Sequence, residues 1–503
     1  MIGFSNKKYL LVQQRAIEER MARVGRLYLE FGGKLLNDGH AMRTLPGYDP
    51  QIKLKLLKNL KKNLAVIYCI SAKQLKSKKT RGDWGLTYDL AALRDLKELK
   101  QADLPVAGVV INRFEGENEA QIFARRLKRQ AVKVFYRYEI SNYPHDLDLI
   151  LSRKGFGQDD HLKINKPLIV VWGAGGGSGK LSTCLGQIYN DANQKINSGY
   201  AKLETFPVWN LPLEHPVNVA YEASTADLGD TNIIDPFYLA AYGKTAVNYN
   251  RDIEAFPIIK EIFEKVLPKD NFCRCYQSPT EMGINLLKDG IIDDGLVKRA
   301  AKQEINFYLF RYRQEYNQGL ISRQVLGRMN LLMKKVAIKE TFLPPVTAAR
   351  AAMKEAEKRT DKGDQGINCG AALQLPTGQI VSGKNSPLLY AEAAAILNTL
   401  KVLAGIDDKY DLITKDVINQ VRELKRQIGE KSYSLTCHEA LLALSTSAKT
   451  NPLVIEAQSQ LALLRGCFLH TTHSPASGDM DIFRKLGVWV STDGKIEKID
   501  SLK

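Results

Sequence analysis

The chain has 503 residues, of which 44% are hydrophobic and 25% charged; this excludes collagen-like and largely disordered proteins and predicts roughly three domains. Lysine and arginine (72) exceed aspartate and glutamate (55) by 17, which favours anionic partners without choosing among phosphorylated metabolites, nucleotides and nucleic acid. No apolar run is long enough for a membrane span and the first residues lack the apolar core of a signal peptide, so we expect a cytoplasmic protein without a membrane partner. Seven scattered cysteines predict reduced thiols rather than a disulfide framework.

Short β-rich runs alternate with stretches of helical period from residue 26 onward, which is typical of parallel α/β sheets. A helix is predicted over 51–63, because Ile52, Leu56 and Leu60 fall on one face. The predicted strands are Leu27–Phe31, Leu64–Ile70, Val106–Asn112, Val132–Tyr138 and Leu168–Trp172. We therefore expect an α/β fold with doubly wound, mostly parallel sheets.

Changes in composition divide the chain into three predicted domains. A glycine-rich polar stretch near residue 153 separates an N-terminal α/β domain (1–153) from a P-loop-like α/β domain (154–330), which ends in a mostly helical segment. The remainder, 331–503, is a smaller α+β C-terminal domain that contains the hairpin-like string GAALQLPTGQIVSG.

The glycine-rich loop in KPLIVVWGAGGGSGKLSTCLGQIYNDA, residues 166–192, is the most informative segment. A strand, a glycine loop, a lysine and a helix follow one another, an order that surrounds phosphate oxygens with backbone N–H groups. The pattern G-x-x-x-x-G-K-[ST] is not met, because Ala174 and Leu181 replace a glycine and a hydroxyl residue. The alternative is a glycine turn that serves packing only. The predicted cofactor-binding residues are Gly175, Gly176, Gly177, Ser178, Gly179, Lys180, Ser182 and Thr183.

Carboxylates follow the next apolar run, PVNVAYEASTADLGD (216–230), which we interpret as a strand. Ligands bind beyond the carboxyl ends of strands in open α/β sheets. Glu222 and Asp227 are therefore predicted to hold magnesium, with Asp230 nearby and Lys202 and Glu204 just upstream. A solvated acidic turn is the alternative.

Two polar loops, 242–252 and 278–283, connect apolar segments and are candidates for a substrate pocket. Lys180, Asp227 and Arg251 are predicted to be catalytic. Lys244, Asn248 and Asn250 are predicted to contact the co-substrate. The string SPTE, from Ser278 to Glu281, is equally typical of a helix cap.

Three further features leave alternatives open. Trp84, between two glycines, caps a pocket or fills an interface. His470, His473 and Asp479 are compatible with a metal site. However, the segment that contains the two histidines looks extended, and residues three apart face the same way only on a helix. Lysine-rich helix faces without interleaved aromatics are typical of solvated surfaces, so nucleic acid is not the expected partner.

Several long strings resemble the bacterial family known as domain of unknown function 1846, of UPF0371 type, across nearly the whole chain. The family is expected to have prolines at Ala174 and Gly176, so this loop should be more flexible than in its relatives. The resemblance implies a large N-terminal and a smaller C-terminal region that divide near residue 330, and implies no particular reaction. The strings are LYLEFGGKLLNDGHAMRTLPGYDP, RGDWGLTYD, GSGK, ETFPVWNLPLEHPVNVAYEASTADLGD, YGKTAVNYNRDIEAFP, SPTEMGIN and ALSTSAKTNP.

The sequence predicts a protein that binds ATP or another nucleotide, or a different phosphate-bearing small molecule, with Mg²⁺ as a second cofactor. The predicted reaction is that of an ATP-dependent ligase or phosphotransferase. The alternatives are a non-catalytic sensor or scaffold that binds a phosphorylated metabolite, and an RNA-associated protein. The sequence is compatible with assembly into a homo-oligomer and does not decide the oligomeric state.

Overall fold

A computed structural model describes residues 2–77, 80–81 and 86–494, so Trp84 lies outside the described residues. The chain forms two compact units, Met1–Ala301 and Lys302–Lys503. This division differs from the three domains predicted, because strands from both sides of residue 153 join one sheet. None of the helices in the described part of the chain combines the length and apolar character that a bilayer span requires.

The first unit alternates strands and helices. Its strands are β1 (Arg26–Phe31), β2 (Leu64–Ser71), β3 (Thr80–Arg81), β4 (Leu86–Thr87), β5 (Val106–Phe114), β6 (Val134–Tyr138), β7 (Leu168–Gly173), β8 (Ser198–Leu203), β9 (Asn232–Ile234), β10 (Val247–Tyr249) and β11 (Gly283–Ile284). Its helices are α1 (Asn6–Met21), α2 (Gly39–Thr44), α3 (Ile52–Asn59), α4 (Ala72–Lys76), α5 (Tyr88–Gln101), α6 (Asn118–Arg129), α7 (Leu147–Ile150), α8 (Lys180–Asn193), α9 (Pro216–Ser224), α10 (Pro236–Tyr242), α11 (Asn250–Val266), α12 (Pro279–Met282) and α13 (Leu287–Gly290). Helix α14 (Asp294–Asn317) runs into the second unit.

Seven of these strands form one parallel sheet in the order β11-β8-β1-β7-β2-β5-β6. The chain first adds strands towards β6, then returns to insert β7 between β1 and β2, and finally adds β8 and β11 at the other edge. The direction of winding therefore reverses beside β1 and β7. Such a reversal is the place where open α/β sheets bind ligands, at the carboxyl ends of the strands.

The core of the first unit lies on this sheet. Every residue of β1, β2, β7 and β8 is buried, which requires cover on both faces of the sheet. The predicted α/β class is confirmed, and the five predicted strands lie within two residues of the observed ones. The helix predicted over 51–63 is observed as α3.

The segment after Pro216 is a helix, so the predicted strand was wrong. His215 caps α9 by accepting from Val217 N, and Pro216 takes the first helical position, where its missing N–H costs nothing. A short apolar run does not by itself distinguish a strand from a buried helix. As a result Glu222 lies within a helix rather than beyond the end of a strand.

The second unit is a smaller α+β structure. Its strands are β12 (Gly370–Gln374), β13 (Ile380–Lys384), β14 (Phe468–Thr471) and β15 (Trp489–Thr492), in the order β13-β12-β14-β15. The predicted hairpin is the antiparallel pair β12 and β13, whereas β14 and β15 are parallel. The helices are α15 (Arg323–Lys335), α16 (Pro344–Ala356), α17 (Ala391–Ala404), α18 (Lys415–Gln427), α19 (Cys437–Ser447), α20 (Pro452–Ser459) and α21 (Ser477–Leu486).

Candidate functional site

A cavity of about 570 Å³ lies at the carboxyl ends of the central strands in the first unit. Glu30 of β1, Asn112 of β5 and Lys202 of β8 contribute to its wall. The glycine-rich loop after β7 forms a second wall, and the start of α11 a third, with Arg251 and Asp252. The cavity thus occupies the position at which the winding of the sheet reverses.

The backbone of the glycine loop depends on particular glycines. Gly175, Gly177 and Gly179 have φ angles of +122°, +74° and +85°, which residues with a side chain rarely adopt. At Gly179 a Cβ would lie 2.4 Å from Cγ of Asn112, whereas at Gly176 it would meet no atom within 4 Å. The loop is therefore packed on the β5 side and open on the cavity side.

Asn112 connects the loop to the sheet. Its amide Nδ2 donates to Ser178 O at 2.9 Å, and its Oδ1 accepts from Thr183 Oγ1 at 3.1 Å. Gln74 Nε2 donates to Gly176 O at 3.0 Å. These bonds hold carbonyl groups of the loop against the protein, and none of them uses an amide N–H group of the loop.

The amides from Gly175 to Ser182 are the main donors of the loop. In the described part of the chain none of their N–H groups donates to a protein acceptor. Helix α8 begins at Lys180, so several of these amides are the unsatisfied first donors of a helix. A series of such donors at a helix N-terminus favours an anion.

Most basic side chains of the cavity are paired with carboxylates. Arg113 pairs with Glu139 at 2.6 Å, Arg137 with Asp159 at 2.7 Å, and Arg251 with Asp230 at 2.6 Å. Lys180 differs. Its Nζ donates to Gly175 O at 3.2 Å, and among the described residues no carboxylate lies within ion-pair distance of it.

A largely buried ionic cluster lies beside the loop. We call it the Lys202 cluster, and it consists of Lys202, Glu204, Tyr249 and Asp252. Lys202 Nζ contacts Asp252 Oδ1 at 2.7 Å, Glu204 Oε1 at 2.9 Å and the hydroxyl of Tyr249. Tyr249 in turn donates to Glu204 Oε1 at 2.9 Å. Burial raises the pKa of Glu204 to about 7, against the opposing effect of Lys202. This carboxyl therefore exchanges a proton near neutral pH.

The structure brings some predicted residues together at the cavity and not others. The predicted residues that line it are Gly176, Gly177, Gly179, Lys180, Ser182 and Arg251. Ser178 is buried and donates to Gly175 O at 2.9 Å. Thr183 is also buried, and its hydroxyl donates to Gly179 O at 2.8 Å, so it serves the loop rather than the cavity.

The predicted magnesium and co-substrate residues are absent from the lining in the described structure. Glu222 is buried in α9, and Asp227 is exposed on a short helical turn at 226–228. Lys244 is exposed, and Asn248 donates to Thr280 Oγ1 at 3.3 Å. Asn250 accepts from Thr231 N at 3.1 Å.

Two of the alternatives are decided by local contacts. Ser278 accepts from Glu281 N at 3.3 Å and Pro279 begins α12, so SPTE is a helix cap. Among the described residues no group of three or more His, Cys, Asp or Glu side chains is able to hold a metal ion. Asp479 instead accepts from the N–H groups of Cys437 and His438 at the start of α19.

Comparison with known proteins agrees with the sequence resemblance. A family model described as domain of unknown function DUF1846, N-terminal, matches residues 2–337, and its C-terminal counterpart matches 344–500. The chain belongs to the DUF1846 family. A UPF0371 protein of Clostridium botulinum strain Eklund 17B is 44% identical over 493 residues, covering 98% of this chain and 97% of the relative. UPF0371 proteins of Clostridium tetani and Fusobacterium nucleatum are each 43% identical, with the same coverage.

Proposed function

We propose that the cavity of the first unit binds a phosphate-bearing small molecule at the glycine loop, residues 175–182. The observation that carries this proposal is the ammonium of Lys180, which has no carboxylate partner among the described residues, beside a row of amides that have no protein acceptor there. A cation and several N–H donors in one loop suit a tetrahedral anion with several oxygens. A turn that served packing only would not require a lysine without a carboxylate partner.

A nucleotide such as ATP is the ligand class that the rest of the cavity favours. Its volume of about 570 Å³ falls in the range of roughly 300–1,000 Å³ that is usual for ligand sites. Tyr138 and Tyr143 line the same cavity and are 40% and 37% exposed, so they offer aromatic surface to a base. The ligand would then extend from the loop towards these rings.

The reaction that we propose is phosphoryl transfer or ATP-dependent ligation. Lys180 would neutralise charge on the phosphate, and the Lys202 cluster would supply the group that moves a proton. A sensor without turnover is the second candidate. It is favoured by one observation: Glu222 and Asp227, predicted to hold Mg²⁺, lie outside the lining. Incubation with ATP, followed by chromatography of the nucleotides, separates the two, because only an enzyme consumes its ligand.

The binding proposal is tested by substitution of the lysine. We expect ATP, ADP or pyrophosphate to raise the melting temperature of the wild-type chain, and Lys180→Ala to abolish that rise. The ligand-free melting temperature should change little, because Lys180 contributes to the ligand rather than to the core. Lys97→Ala, on the exposed side of α5, is the matched control for loss of one positive charge. Equal ligand-induced shifts in wild type and Lys180→Ala would rule the proposal out.

A further inference from the structure

The ladder between β12 and β14 brings a cysteine and a histidine together in the second unit. Ala371 pairs with Thr471 in this antiparallel ladder, and Thr472 N donates to Gly370 O at 2.9 Å. Cys369 and His473 flank this bonded pair on the two segments, just beyond the ends of β12 and β14. The side chains of Cys369 and His473 interact at this position.

Glu392, at the start of α17, lies on the other side of the histidine. Its Oε2 is 2.9 Å from Nε2 of His473, and its side chain is completely buried. Within the described residues neither oxygen of Glu392 has an aligned hydrogen bond, and neither does Nδ1 of His473. A buried carboxylate without other partners needs a positive neighbour, and the imidazolium form of His473 is that neighbour.

The protonation of His473 agrees with this arrangement. Burial acts against the charged ring, but Cys369 and Glu392 outweigh it and raise the pKa of His473 to about 10. Tyr390 packs edge-on against the ring at 6.3 Å between centroids. The charged form of His473 is therefore favoured, its ring is oriented by Glu392, and the Cys369 side chain is its other polar neighbour.

Cys369 differs in its surroundings from the other cysteines. Cys275 is exposed. Burial raises the pKa of the remaining five thiols, which keeps them protonated and unreactive: Cys69, Cys184, Cys273, Cys437 and Cys467. Cys369 is 8% exposed, whereas these five cysteines are completely buried.

We propose that Cys369 is a nucleophilic thiol, that His473 is its proton partner and that Glu392 positions the histidine, in a site that takes activated acyl groups such as small esters or thioesters. A nucleophile, a base and a third group that orients the base form the usual unit of covalent acyl transfer. The site lies wholly within the second unit and does not depend on the proposed phosphate site.

The reaction proceeds in two balanced steps. His473 already holds the proton of the Cys369 thiol as an imidazolium, so the thiolate Sγ forms a bond with the carbonyl carbon and the bond to the leaving oxygen or sulfur breaks. The leaving group takes a proton from the imidazolium, which leaves a neutral His473 beside the thioester. Water then attacks the thioester carbon while His473 accepts one of its protons and returns it to the departing sulfur. Each turnover consumes one water and gives a carboxylic acid and an alcohol or thiol.

The test uses p-nitrophenyl acetate on the full-length chain. We expect a burst of p-nitrophenolate and an acetyl group on the peptide that contains Cys369, located by mass spectrometry. Cys369→Ser should lower the burst rate at least about tenfold, and His473→Gln should lower it without loss of the thiol. Cys275→Ser is the matched control and should leave the burst unchanged.

Glu392→Gln tests the positioning role. If Glu392 maintains the charge on His473, the pH profile of the burst should shift in this variant while Cys369 remains the acetylated residue. Acetylation of Cys275 or of lysines with Cys369 unmodified would overturn the proposal. An undiminished burst in Cys369→Ser would do the same. If Cys369→Ser does not fold, an unchanged burst rate in folded His473→Gln would overturn it instead.

Discussion

Substitution of Gly179 by alanine should destabilise the first unit, although the residue lies in a surface loop. Gly179 has a φ angle of +85°, and a Cβ there would lie 2.4 Å from Cγ of Asn112. The Asn112 side chain would have to move, and it would lose its bonds to Ser178 O and Thr183 Oγ1. The change therefore affects both the backbone and the contact between the loop and β5.

The magnitude follows from these two effects. A left-handed backbone at a residue with a Cβ costs about 1–2 kcal/mol, and each lost hydrogen bond about 0.5–1.5 kcal/mol. Gly179→Ala should thus lower the free energy of unfolding by about 2–5 kcal/mol, since two hydrogen bonds are lost. For a unit that spans Met1–Ala301 the melting temperature should fall by roughly 3–8 °C.

Gly176→Ala provides the matched control, because Gly176 has no positive φ and a Cβ there meets no atom within 4 Å. Differential scanning calorimetry of both variants without ligand makes the comparison. Gly176→Ala should melt close to wild type, yet it should weaken ligand binding, since Gly176 lines the cavity. Similar melting temperatures for Gly179→Ala and Gly176→Ala would refute the reasoning.

Two further predictions concern buried charges. Asp191 is completely buried and accepts hydrogen bonds from Arg26 at 2.5 Å and from Tyr28 at 2.9 Å. Asp191→Ala would leave Arg26 without its counter-charge, so the free energy of unfolding, measured by thermal unfolding, should fall by about 3–5 kcal/mol. A fall of less than about 1 kcal/mol would contradict this reasoning. Burial raises the pKa of Glu204 to about 7, so its contribution to stability is complete below its unfolded pKa of about 4.5 and is lost as the pH rises through 7. Glu204→Gln should therefore flatten the pH dependence of the melting temperature between roughly pH 5 and 8, and an unchanged profile would count against the shifted pKa.

The five strands that the sequence predicted consist mostly of apolar residues, and three of them, β1, β2 and β7, are completely buried. Strand β8, SGYAKL, was not among them, although every residue in it is buried. Lys202 breaks its apolar pattern. Burial of that lysine is made favourable by Glu204, two residues later, and by Asp252, which is distant in the sequence. The insertion of β7 between β1 and β2 depends on pairing between distant segments, which no local pattern contains.

The sequence predicted the glycine loop of the candidate site but not the carboxylates that line it. The order of strand, glycines and lysine is local, so the sequence identified residues 175–182 and Lys180. Asp252 was missed because it follows Asn250 and Arg251 in one polar loop, and only the start of α11 determines which of the three face the cavity. Asn112, which connects the loop to β5, carries no signal beyond its position near the end of a predicted strand.

The charges around the cavity favour a small phosphate-bearing molecule over a nucleic acid. The chain has an excess of 17 positive charges, but Arg113, Arg137, Arg251 and Lys202 each have a carboxylate partner, so little of that excess acts within the cavity. Attraction for an anion then comes from Lys180 and the loop amides, which act over a few ångströms. A nucleic acid would instead release many counter-ions and bind with a steep dependence on salt. The affinity of the cavity for ATP or pyrophosphate should therefore decrease only modestly as the salt concentration rises from about 50 to 200 mM. The reason is that a single lysine and uncharged donors make the contacts.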